Sequence, residues 1–138
     1  REGSASSALT AGAWSTTPST TFVATNTAID TTDALPGYRS FDAAKSDLGP
    51  AGPGKVYDHV VEQSQVGRSG FTPEEVNNPF NMNPVDSQVN QLKANYYSSK
   101  QPFTNGGTVR DWLTGQSFRD QYQFGMDVLR QIREGLIP

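Results

Sequence analysis

The composition of this chain changes sharply at Gly37, and that break limits what can fold. Residues 1–36 are dominated by Ser, Thr, Ala and Gly, with only scattered apolar side chains such as Leu9, Trp14, Phe22, Val23 and Ile29. Such a stretch buries too little to offset the entropy lost on ordering it. It reads as a linker or tail, with at most a short edge strand over Thr21 to Thr25. Folding is left to residues 37–138, enough for one modest core. The 34% apolar share of the whole chain, low for a compact domain, fits a partly unpacked length.

There is no cysteine. Disulfide scaffolds, thiolate zinc sites and cysteine nucleophiles are thereby excluded together, so any metal is held by oxygen and nitrogen. No apolar run approaches the roughly 18 residues of a membrane span, and the opening Arg1-Glu2-Gly3-Ser4 lacks the layout of a signal peptide. A soluble protein without a membrane segment is expected. The net charge of −3 and pI near 5.0 argue against wrapping nucleic acid on a broad basic surface. Contact with phosphate has to be local.

Helix signals follow Gly37. Ser40 can cap a helix that Gly49 stops, and Thr72 can cap one turn over Pro73 to Val76. Between them, "GPAGPGK" is a turn leading into a buried strand over Val56 to Val61. The asparagine-dense "NNPFNMNPVD" reads as a structured loop. Beyond it a helix is expected over Val85 to Tyr97, with Val85, Val89, Leu92 and Tyr96 on one face. Of Tyr96 and Tyr97, one should pack and the other face substrate or partner. Thr108 and Ser117 open two further helices, the last with a stripe of Phe118, Tyr122, Gly125, Leu129 and Ile132. Arg110 and Asp111 read as solvated helix-start charges, whereas Glu62 either orients a site residue or makes a structural hydrogen bond.

The chemistry concentrates around "KVYDHVVEQSQ", which holds the single histidine of the chain, His59, next to Asp58. Neighbours on a strand point to opposite faces. If a metal lies beside this strand, however, the carboxylate can bind it while the imidazole addresses a substrate on the same ion. Asn90, on the following helix, offers an amide oxygen as second ligand. One carboxylate and one amide oxygen favour a hard ion that keeps its waters, Mg²⁺ or Mn²⁺, with Zn²⁺ the poorer match. Asn81 can tie the loop backbone and fix the strand relative to the helix, which places it beside His59 in the catalytic set. Lys55, Arg68, Lys93 and Lys100 are the nearby basic residues for phosphate contact.

The order Asp58-His59, then Asn81, then Asn90 resembles the HNH, or ββα-metal, nuclease motif in the version where Asp and Asn hold the metal. The resemblance implies that His59 is the general base. A longer segment, Tyr57 to Gly125, with "YDHVVEQSQ" and "TVRDWLTGQSF", is similar to the C-terminal toxin domains of Rhs and related polymorphic toxins. Those domains commonly carry His at the positions of Asp58 and Asn90; here both imidazoles are exchanged for oxygen donors, a paired change that points to an altered metal preference. The resemblance implies an α+β fold, a small ββα-metal unit packed with additional helices. It further implies a metal-dependent DNA endonuclease secreted behind an Rhs shell, acting in the cytoplasm of a target bacterial cell and countered by an immunity protein. RNA cleavage on the same scaffold and a non-catalytic interaction module stand as alternatives.

Overall fold

The computed structural model describes residues 37–138, so the linker reading of residues 1–36 and the strand over Thr21 to Thr25 lie outside the described residues. The described part is α+β. Helix α1 (Phe41–Leu48) opens on Ser40, whose hydroxyl accepts from the Ala43 amide at 3.0 Å, and closes on Gly49 at φ 81°. Strand β1 (Lys55–His59) follows the Gly/Pro turn. Next come two short helices, α2 (Gln65–Ser69) and α3 (Pro73–Val76), and a 3₁₀ turn (Pro79–Asn81). Strand β2 (Met82–Asp86) then runs into α4 (Ser87–Tyr97). After a 3₁₀ turn (Pro102–Thr104), α5 (Val109–Leu113) and α6 (Phe118–Arg133) complete the domain.

The two strands form an antiparallel pair, with Lys55 opposite Asp86 and His59 opposite Met82. Three expectations change here. The asparagine-rich piece is not wholly loop: its second half is β2, because Met82 and Val85 are buried against elements far off in sequence. Val85 consequently belongs to a strand, and α4 begins two residues later than expected. Pro84 is tolerated because, among the described residues, neither strand has a second neighbour to receive its missing N–H. β1 in turn ends at His59, since Val60 and Val61 leave the strand to bond with Asn81.

α4 packs across both strands and against α6. One core cluster joins Tyr97, Val109, Leu113, Phe124, Val128 and Ile132; a second holds Val60, Val85 and Leu129. The buried face of α6 is thus wider than the expected stripe, and Phe118 and Tyr122 are only half-buried. Gly125 lets α6 rest on the chain leaving β1: a Cβ there would stand 2.6 Å from the Val60 carbonyl oxygen. Gly125→Ala should therefore destabilise the domain by roughly 1–3 kcal/mol despite alanine's better helix propensity, read as a lower denaturation midpoint at unchanged slope. Among the described residues no helix is long and apolar enough to cross a membrane.

Candidate functional site

A cleft of about 470 Å³ opens where β1 ends against α4. Asp58, His59 and Asn90 all line it, joined by Glu62, Lys93 and Arg110. The structure thus brings together three of the four residues singled out from the motif. The fourth, Asn81, lies beneath the cleft with no exposed surface. Its side chain acts as a staple. The Oδ1 atom accepts from the Val61 amide at 2.9 Å, while Nδ2 donates to the carbonyls of Val61 (3.0 Å) and Val76 (2.8 Å). With every polar atom engaged by backbone, Asn81 is a positioning residue rather than one that touches substrate.

His59 is set by a residue that sequence reasoning did not single out. Thr72 and Glu75 form a reciprocal cap at the start of α3, and Pro73 occupies its first position, so the short helix is fixed locally. That delivers Asn77, at its C-terminal end, to the imidazole: Nε2 lies 2.9 Å from Asn77 Oδ1. An amide oxygen can only accept, so Nε2 carries the proton and Nδ1 is left with the lone pair. Phe41 of α1 stands edge-on to the imidazole at 4.6 Å. Asn77 had no distinguishing local signal, being one of several asparagines in a turn-rich piece.

Burial pushes the His59 pKa below its ordinary 6.5 and Lys93 adds to the effect; the Asn77 hydrogen bond and the Asp58 charge oppose it. The ring is therefore neutral at pH 7. In the folded state it binds a proton more weakly than in the unfolded state. Stability is full above pH 6.5 and is lost progressively as pH falls through the lowered folded value. In chelator, His59→Gln should flatten this part of the stability curve, followed by denaturation at several pH values.

Asp58 faces α4, where Lys93 reaches it from a position 2% exposed. Nζ donates to Asp58 Oδ1 (3.1 Å) and to the carbonyls of His59 (2.9 Å) and Val60 (3.2 Å). Asp58 Oδ2 is also 3.1 Å from Nζ, yet buried and without a hydrogen bond. Distance alone makes an ion pair at Oδ2, but the hydrogen-bond geometry is met only at Oδ1. Of the four basic residues considered for phosphate contact, Lys93 alone lines the cleft. Lys55 is paired with Asp86 and Arg68 with Asp111, both exposed, and Lys100 belongs to a bridge with Thr108.

Arg110 departs from expectation. It is no solvated helix-start charge: Nε and Nη2 meet Glu62 at 2.7 and 2.8 Å, and Nη1 donates to Ser98 at 3.0 Å. Asp111 does cap its helix, with Thr108. Tyr97 is the packed member of its tyrosine pair, 1% exposed, and Tyr96 is half-buried.

The donor set suits a hard cation. Asp58 Oδ2 is a buried oxygen without a hydrogen bond, 3.1 Å from Lys93 Nζ, and the Asn90 amide shares its cleft. Among the described residues no three histidine or carboxylate side chains group as ligands. Asp58 and Asn90 would leave most of the coordination sphere to water and substrate, as Mg²⁺ and Mn²⁺ accept and structural zinc does not. No family model, curated protein or solved structure matches the chain.

Proposed function

We propose that this cleft hydrolyses phosphodiester bonds, and that the protein is a metal-dependent DNA endonuclease of the HNH, or ββα-metal, kind. The observation that carries the proposal is the His59–Asn77 hydrogen bond, which assigns the proton to Nε2 and leaves Nδ1 basic, on a ring that burial keeps neutral and that shares a cleft with a buried carboxylate oxygen lacking a hydrogen bond. The chain order supports it. Asp58 and His59 end the first strand of an antiparallel pair, Asn81 braces the connection between the strands, and Asn90 lies on the helix that follows the second strand.

The charged residues lining the cleft are Asp58, Glu62, Lys93 and Arg110, two of each sign, so with a neutral His59 they offer no net attraction to a phosphodiester. Asp58 and Asn90 would hold Mg²⁺ or Mn²⁺, which when bound supplies that positive charge and stabilises the leaving 3′ oxygen. His59 Nδ1 takes a proton from the attacking water. Asn77 keeps the ring in the orientation and tautomer that this transfer needs, and Asn81 holds the loop that carries it. Glu62 and Ser98 keep Arg110 at the cleft wall.

On this reading the domain belongs to the toxins delivered behind an Rhs-type shell into a target bacterial cell, with a dedicated immunity protein as partner. What suggests that context is the resemblance read in the sequence of residues Tyr57 to Gly125. The test incubates purified protein with supercoiled plasmid in Mg²⁺, in Mn²⁺ and in chelator, with single-stranded RNA in parallel. Nicking that requires the metal is expected. Intact plasmid and cleaved RNA would move the substrate to RNA, and both intact would leave a non-catalytic binding module.

A further inference from the structure

We infer that Lys93 is a built-in competitor for the divalent ion: its ammonium and the ion contend for the Asp58 carboxylate, so the ion binds more weakly than the oxygen donors alone would allow. The inference rests on the reading of Asp58 and Asn90 as the ion-holding residues.

An ammonium has three protons to donate. Here all three are committed, to Asp58 Oδ1 and to the carbonyls of His59 and Val60. That is why Asp58 Oδ2, equally near at 3.1 Å, has no hydrogen bond. The cradle consists of oxygens on one side, and on another Nζ stands 4.8 Å from the centre of the Tyr97 ring. Both charged side chains are nearly out of solvent, 3% and 5% exposed. Oxygen ligands stand roughly 2.0–2.6 Å from Mg²⁺, Mn²⁺ or similar ions. An ion on Oδ2 would therefore lie within a few ångströms of Nζ, with little water between to screen the two positive charges. One carboxylate cannot neutralise both. Either the flexible stem of Lys93 withdraws the ammonium, or the ion is held loosely.

The experiment titrates Mn²⁺ alone into the wild type, Lys93→Met, Lys93→Gln and the double variant Asp58→Asn/Lys93→Met, reading free Mn²⁺ by electron paramagnetic resonance and folding by circular dichroism. Lys93→Met removes the charge and keeps an apolar stem; Lys93→Gln keeps a donor. Both single variants should bind Mn²⁺ at least about tenfold more tightly than wild type, and the double variant should lose that gain. In the wild type, Mg²⁺ should shift the ¹⁵Nζ resonance of Lys93 and speed its proton exchange, a readout that needs no variant. Mn²⁺ binding that neither single variant tightens, or an unmoved ¹⁵Nζ signal while Mg²⁺ binds, overturns the inference and leaves the metal reading intact. No Mn²⁺ bound by any protein overturns the metal reading and the inference with it.

Discussion

His59→Ala should lower the rate of plasmid nicking by about 10²–10⁴-fold at saturating Mg²⁺, the range that a positioned proton acceptor contributes. The size of the effect follows from the geometry. The chain has one histidine, so no second imidazole can take over Nδ1. The neighbouring carboxylate, Asp58, is already committed to Lys93. The variant also leaves Asn77 Oδ1 without its donor and removes the ring that Phe41 packs against, so some loss of stability accompanies the loss of rate. Two further variants separate these effects. His59→Gln retains an amide donor for Asn77 and should restore stability without restoring rate. Asn77→Asp keeps an acceptor for Nε2 but adds a negative charge, which raises the pKa of the ring. The acid limb of the pH–rate profile should move to higher pH, because the base is then lost to protonation sooner as pH falls. An unmoved limb would mean that the group titrating in the profile is not His59.

Much of the scaffold was legible because its signals are local. Ser40, Thr72, Thr108 and Ser117 each cap a helix within three residues of themselves, and each cap is present. The glycine stop at Gly49 is equally local. Features that depend on partners remote in sequence were not legible. β2 is a strand because β1 lies beside it, and nothing within the asparagine- and proline-rich piece announces that neighbour. His59 meets Asn77 across 18 positions, Asp58 meets Lys93 across 35, and Glu62 meets Arg110 across 48. The pairs with Lys93 and Arg110 line the cleft, and Asn77 supports the His59 ring from outside that lining. The motif residues themselves were legible as a set because their chemistry is unusual, an adjacent Asp and His followed by two asparagines. Asn81 ties the loop backbone as the sequence leads one to expect; its complete burial, which separates it from the half-buried Asn90, was not legible.

That distinction yields the second large effect. Asn81→Ala should cost about 3–9 kcal/mol, because it strands one amide and two carbonyls in the interior. Each such loss is worth roughly 1–3 kcal/mol, and no solvent reaches the site to replace the lost partner. Against a typical domain stability of about 5–15 kcal/mol, this leaves the fold marginal at best. Asn81→Asp offers no rescue: a carboxylate can accept from the Val61 amide but cannot donate to the two carbonyls, and it buries a charge without a counter-ion. Asn90→Ala should behave oppositely. Its side chain is only half-buried at the cleft wall, so stability should change by no more than about 1 kcal/mol, whereas Mn²⁺ binding should weaken measurably. Urea denaturation of the two variants beside Mn²⁺ titration of Asn90→Ala decides the matter. A stable Asn81→Ala protein would mean that the loop between β1 and β2 does not depend on this side chain. The His59 ring would then be held in place by α3 and Asn77 alone.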